Sequence, residues 1–351
     1  MGMLARCCRR SLLFANLLII LTASLVVIAL FRRLRLPAVL GYLCVGLLIG
    51  PNAFNWVNHS ADLPHLAELG VVFLLFTLGL EFSLPRMLAL RHVVFALGGL
   101  QVLVSTAVLG GLLFWFGLPL AVALVLGAGL ALSSTAIVSR ELSSLGEIFS
   151  RHGQNAIGVL LFQDLVAVLL LTLLPALTAD SSGVWYVELG LTLGKAVLLF
   201  IGLLLASRWV LPRLFHEVAA ARSPELFVTL ALVIVLLTAW LTHVLGLSMA
   251  LGAFLAGMML GESHYRHQLE VDIKPFRDVL LGLFFITIGM TMEWTLVANA
   301  WWQVLLCVLG LILCKSLLVL LAGRLMGERK RDAMAAGIML SQVGEFGFVL
   351  L

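Results

Sequence analysis

The chain has 351 residues, of which 62% are hydrophobic and 11% charged. Soluble domains carry about 25% charged residues, so this composition excludes a water-soluble globule and defines a polytopic membrane protein. The formal net charge of +4 is small, and nothing in it calls for a nucleic-acid partner.

The first apolar run, Ser11 to Phe31, follows Arg6, Arg9 and Arg10 and so has the outline of a secretion signal. It is about 20 residues long, lacks a small-x-small cleavage site and meets Arg32, Arg33 and Arg35 at once. It reads as a retained first helix, since about 20 apolar residues cross a bilayer. Further apolar runs bring the predicted spans to twelve, at about 12–31, 37–50, 63–82, 92–116, 119–139, 154–178, 185–211, 225–242, 247–261, 275–292, 296–323 and 333–351. The second is short and ends in Gly50-Pro51. No linker or soluble domain interrupts the series. The last span stops within apolar text, which leads us to expect a longer parent chain. Cys7, Cys8, Cys44, Cys307 and Cys314 show no C-x-x-C spacing and read as reduced packing residues.

Lysine and arginine placement orients the spans. With the amino terminus outside, the inside loops hold Arg32, Arg33 and Arg35; Arg86 and Arg91; Arg140 and Arg151; Arg208, Arg213 and Arg222; Arg266, Lys274 and Arg277; and Arg324, Arg329, Lys330 and Arg331. The outside loops between helices hold none. The remaining basic residues are the three tail arginines, Lys195 and Lys315. Such asymmetry is the positive-inside pattern; only the basic tail opposes it.

Asp164 lies in the middle of the sixth span, where a carboxylate costs at least about 2.5 kcal/mol to insert. A structural ion pair between helices is the alternative to a functional site. At 1.5 Å per residue, Asp164 stands about 13.5 Å from the inner end of its span, as does Lys315 on a helix of opposite direction. Ser341 and Gln342 fall at about 14 Å, and Ser133, Ser134 and Thr135 at about 8–11 Å. A carboxylate, an ammonium, hydroxyls and amides therefore converge near mid-membrane, as a secondary transporter requires. Two of these spans carry helix-weakening text. Leu132–Val138 (LSSTAIV) follows Gly127 and Gly129, and Ser341–Phe348 (SQVGEFGF) sets Gly344 and Gly347 around Glu345. Opened backbone at membrane depth needs a cavity or protein cover; close helix packing through small residues is the competing reading.

At this point the chain resembles the monovalent cation:proton antiporters, in particular the glutathione-gated Kef-type potassium-efflux branch. The matching text is Leu36–Pro51, Phe73–Ser83, Leu132–Val138, Leu160–Leu165 with Gln163-Asp164, Leu247–Met258, His267–Arg277, Leu283–Met290 and Ser341–Val349. The resemblance covers essentially the whole chain. It implies an all-α inverted-repeat antiporter fold of thirteen helices, with core and dimerisation domains and two crossed, broken helices. Residues 1–351 would then be a membrane transport domain with a first repeat (1–178), a linking helix (185–211) and an incomplete second repeat (225–351). The first and eighth spans would belong to the dimerising panel of a homodimer in the bacterial inner membrane.

The same resemblance implies K⁺ efflux coupled to H⁺ entry at Asp164, with Gln163, Ser133, Ser134 and Thr135 at the ion site. Lys315, Ser341, Gln342 and Glu345 would support it. Lys315 could pair with Asp164 in the empty site, or hold the crossing as a structural cation. No cofactor is expected in this chain itself; nucleotide and glutathione would act on a regulatory domain beyond residue 351, and an ancillary regulatory subunit is a further possible partner. The inside loop Gly261–Asp278 would be regulatory, with Glu270 and Asp272 facing that domain. His264-x-x-His267-x-x-Glu270 has metal-like spacing, but a solvated hairpin explains it better. Lys195 reads as a snorkelling side chain, and Glu81 as a helix-end carboxylate. The alternatives in function are a Na⁺/H⁺ antiporter of the same fold and a gated cation channel, although no ring-forming repeat is present. A membrane enzyme would need a motif such as H-E-x-x-H or G-x-S-x-G, and neither occurs.

Overall fold

The computed structural model describes residues 2–34, 36–57, 62–82, 84–178, 185–220, 223–263 and 265–350, and every regular element among them is helical. In chain order these are α1 (Gly2–Arg33), α2 (Ala38–Ile49), α3 (Asp62–Glu81), α4 (Leu84–Ala89), a π-helical turn (His92–Gly98), α5 (Gly99–Trp115), α6 (Leu120–Ala131), α7 (Thr135–Leu145) and α8 (Arg151–Thr178). They continue with α9 (Trp185–Trp209), α10 (Leu211–Ala220), α11 (Pro224–Val244), α12 (Met249–Gly261), α13 (Arg266–Thr291), α14 (Trp294–Asn299), α15 (Trp301–Leu325), α16 (Lys330–Met339) and α17 (Phe346–Leu350). Arg35, Arg222 and His264, all used in the sequence reading, lie outside the described residues.

Local chemistry sets several of these boundaries. Pro37 and Pro119 stand immediately before α2 and α6, where a missing N–H costs nothing. Ser223 and Ser248 cap α11 and α12 by accepting the amides of Leu226 and Leu251, each at 3.3 Å. Among the described residues, five stretches are long and apolar enough to cross a membrane: His92–Trp115, Leu120–Leu145, Arg151–Thr172, Glu225–Val244 and Trp301–Leu325. Shorter apolar helices lie at Ala38–Ile49, Val197–Ala206 and Met249–Gly261.

Three predicted edges move. The first helix begins at Gly2, so Arg6, Arg9 and Arg10 are helical rather than a tail. The span expected to start near Pro275 begins at Arg266 and carries that proline inside it. The region taken for a solvated hairpin is therefore largely helix; the fully buried Leu269 and Ile273, four residues apart, mark the apolar face that its charges conceal. The span at 185–211 divides around Val210 into α9 and α10.

The chain forms two compact units. One comprises residues 1–74 and 271–304, the other 75–270 and 305–351. In the first, Val45 and Ile49 of α2 pack with Leu283, Ile286 and Met290 of α13. In the second, Leu142 of α7, Val159 and Leu160 of α8, Val319 of α15 and Ala336 of α16 share one buried cluster. That cluster gathers the four helices around which the site is built.

Candidate functional site

The two weakened spans are both broken. Between α6 and α7 the backbone is extended at Leu132 (φ −71°, ψ 144°) and Ser134 (φ −76°, ψ 114°). Ser134 then restarts the helix, its hydroxyl accepting the Ile137 amide at 3.4 Å. Between α16 and α17, residues 340–345 are likewise non-helical. The competing reading of tight packing also holds, one turn earlier: a Cβ on Gly127 would stand 2.7 Å from Gly110 Cα, on α5. The small residues thus serve packing at Gly127 and unwinding at 132–134.

The opened segments cross and bond to each other. The Gly344 amide donates to Leu132 O at 3.1 Å. Gln342 Oε1 accepts the Ser134 amide at 2.8 Å and its Nε2 donates to Ser134 O at 3.3 Å, so one side chain pairs with a backbone as a neighbouring strand would. Glycine is required at 344, where a Cβ would meet the Ser133 carbonyl at 2.8 Å. These bonds satisfy groups that unwinding would leave orphaned in a medium without water.

Lys315, on α15, is fully buried. Its ammonium donates to Gln342 O at 2.7 Å, Leu132 O at 3.0 Å and Ser133 Oγ at 3.2 Å. Leu132 O lies at the C-terminal end of α6 and Gln342 O just past that of α16, so one cation answers the negative ends of two half-helices. All three of its N–H groups are thereby engaged.

Asp164, on α8, is 4% exposed. The Thr135 hydroxyl lies 3.1 Å from its Oδ1 and 3.3 Å from its Oδ2 and donates to the carboxylate. Thr135 is the first residue of α7, so the negative charge faces the positive end of a half-helix. Beside it, Gln163 Oε1 accepts the Ser133 amide at 2.8 Å. Its Nε2 donates at 2.8 Å to Gln101 Oε1, and Gln101 Nε2 donates onward to Ser105 Oγ at 3.1 Å. Gln101 and Ser105, both on α5 and wholly buried, were not singled out from the sequence. An amide isolated in the apolar run 92–116 was the available signal.

A cavity of about 200 Å³ reaches Asp164. Its wall includes Ile157 of α8, Thr135 and Ser139 of α7, Glu81 at the end of α3 and Arg266 at the start of α13. Glu81 does close its helix, as expected, and also faces this cavity; Arg266 is a second charged wall residue that sequence reasoning left in a loop. Several predicted site residues act at the crossing rather than on the carboxylate. Ser133 Oγ donates to Leu340 O at 2.7 Å, Ser134 caps α7, and Ser341 Oγ donates back to Ile338 O in the last turn of α16 at 2.7 Å. Glu345 is half-buried and sits at the end of the second opened segment. Glu270, on α13, lies 4.0 Å from His267, and neither it nor Asp272 lines the cavity. Lys195 Nζ donates to Leu245 O at 3.1 Å, away from the site. Among the described residues no group of three or more His, Cys, Asp or Glu could hold a metal.

Helices opened at mid-span around one buried carboxylate, with half-helix ends aimed at the charges, are the build of a secondary transporter. Residues 20–351 match the sodium/hydrogen exchanger transmembrane family, and the chain belongs to it. It is 42% identical to a putative K(+) efflux antiporter KefB of Alkalimonas amylolytica, over 336 residues that make up 96% of this chain and 51% of that protein. It is 41% identical to the chloroplastic K(+) efflux antiporter 2 of Arabidopsis thaliana, over 95% of this chain and 29% of that one. The chain thus spans about half the length of the first relative and under a third of the second. The structure of the sodium proton antiporter MjNhaP1 from Methanocaldococcus jannaschii at pH 8 superposes with a TM-score of 0.66 at 20% identity, covering 97% of this chain and 85% of that one. That likeness establishes an antiporter fold. The family and the fold are both those of membrane exchangers.

Proposed function

We propose that this chain is the membrane part of a monovalent cation:proton antiporter that exchanges K⁺ for H⁺ at Asp164. One observation carries the reading: a buried carboxylate at the crossing of two opened helices, reached by a cavity and bonded by a single hydroxyl. An ionised carboxylate away from water is costly unless something neutralises it. A proton and a partly dehydrated cation can each do so, and the two exclude one another. Thr135 Oγ adds a hard oxygen of the kind that replaces a cation's water shell. The likeness to two K(+) efflux antiporters favours K⁺ over Na⁺.

The remaining parts of the proposal rest on topology and resemblance. The amino terminus lies outside a bacterial inner membrane, the basic loops inside, and the protein works as a homodimer whose core moves against the dimerising panel. Glu270 and Asp272 face a nucleotide-binding, glutathione-responsive regulatory domain, with an ancillary subunit as a further partner. The test is purified protein in vesicles given a pH jump with no cation gradient. We expect H⁺ movement that requires an external monovalent cation and is faster with K⁺ than with Na⁺. Response to Na⁺ alone would favour the sodium antiporter, and cation flux blind to the pH gradient would favour a channel.

Stoichiometry follows from Gln163. A neutral amide, engaged at both ends, stands where a second carboxylate would be needed to exchange another charge. Exchange should therefore be one cation for one proton. One net charge moved across 100 mV is worth about 2.3 kcal/mol, so an electrogenic cycle would respond strongly to an imposed potential. We expect the steady exchange rate at −100 mV to match that at 0 mV; a severalfold difference would contradict one-for-one exchange.

A further inference from the structure

Arg266 and Glu81 belong to no part of the ion site described above, yet both stand in the wall of the cavity that ends at Asp164. Ile157 lines the same cavity, and seven residues of α8 separate it from Asp164, or about 10 Å along the axis. The cavity therefore runs from the carboxylate back toward the Arg151 end of α8. Glu81 is the last residue of α3 and Arg266 the first of α13, so these two charges mark its mouth. Arg266 is half-buried there, and its Nη2 donates to the Glu81 carbonyl at 3.3 Å, covering one of the last carbonyls of α3. This backbone bond helps to hold the guanidinium at the cavity wall.

We propose that Arg266 and Glu81 act as an opposed pair of charges that sets how readily cations enter this cavity from the basic-loop face. A narrow cleft with low-dielectric walls focuses the field of the charges at its rim and changes the local concentration of ions within it. Glu81 draws cations toward the mouth and Arg266 repels them, while a proton, passed along water, is held back less. Arg266 is therefore an access-determining residue rather than an ion ligand. It also opens the segment that carries Glu270 and Asp272, so a shift in the start of α13 moves a charge at the cavity mouth. This gives that segment a physical route to the ion pathway.

The inference rests on the antiport reading, and its test separates the two. Cation dependence of exchange would be measured in oriented vesicles for wild type, Arg266→Gln, Glu81→Gln, the double variant and Lys274→Gln, an exposed basic residue of α13 outside the cavity wall, as control. At low ionic strength Arg266→Gln should lower the KM for cation on the basic-loop face by about threefold or more. Glu81→Gln should raise it by a similar factor, and the double variant should fall between them. Raising inert salt to about 0.5 M should compress these differences. Opposite signs are the decisive feature, because damaged folding would depress both variants alike; melting temperatures would identify a variant that has simply lost structure. If wild type exchanges ions but the two single variants shift KM in the same direction, or neither shifts it twofold, the proposed pair is wrong. If wild type itself shows no cation:proton exchange, the antiport reading fails instead.

Discussion

Asp164→Asn is expected to reduce cation:proton exchange to the level of protein-free vesicles, a loss of at least about 100-fold, while leaving the fold intact. Asparagine has nearly the same shape, and its carbonyl oxygen can still accept the Thr135 hydroxyl that now bonds the carboxylate. What it loses is the negative charge for which a proton and a cation compete. A 100-fold fall corresponds to about 2.7 kcal/mol, well within what one buried charge contributes to binding an ion in a low-dielectric site. Removing a costly buried anion could even raise thermal stability. Unchanged elution and a melting temperature at or above that of wild type, together with absent exchange, would fit the assignment. Exchange retained at a tenth of wild type or more would refute it and move the site elsewhere.

Much of this arrangement was legible because the membrane makes polarity expensive. Asp164, Gln163, Lys315 and Gln342 each stand out in apolar text, and counting residues from the basic loops puts them at one depth. The breaks at 132–134 and 340–345 were also readable, from serines and glycines where a span should be uniformly apolar. Contact partners were not. Depth matching brought Ser133, Ser134 and Thr135 near mid-membrane and the resemblance put them at the ion site, but only Thr135 touches Asp164; the other two hydroxyls are taken up by Leu340 O and by the cap of α7. Which way a side chain points from an extended backbone depends on the segment that crosses it, some 200 residues away in sequence. Gln101 was lost in an otherwise apolar helix, and its partner Gln163 is 62 residues distant. Arg266 was hidden for a different reason. Its neighbours are charged, so the segment reads as a solvated loop, and only the buried Leu269 and Ile273 reveal that it starts a helix.

Lys315→Gln is expected to destabilise the protein while leaving exchange measurable. The ammonium donates to two backbone carbonyls and one hydroxyl, and no carboxylate is among these partners. Its stem is also longer than that of glutamine, whose two N–H donors cannot span the same three oxygens. At least one carbonyl of the opened segments would lose its donor where no bulk water replaces it, at about 1–3 kcal/mol for each orphaned group. Loss of the cation at the negative ends of α6 and α16 adds up to about 2 kcal/mol in a buried setting. Relief from burying an uncompensated ammonium works in the opposite direction, so a net loss of about 2 kcal/mol is reasonable. That should lower the melting temperature in detergent by several degrees. Exchange should persist, because Asp164 keeps its charge, its Thr135 bond and its cavity. The alternative is that Lys315 releases these oxygens during the cycle and pairs with Asp164 when the ion site is empty. A variant with wild-type melting temperature and no exchange would establish that alternative, whereas lowered stability with residual exchange assigns Lys315 to the frame that holds the crossing open.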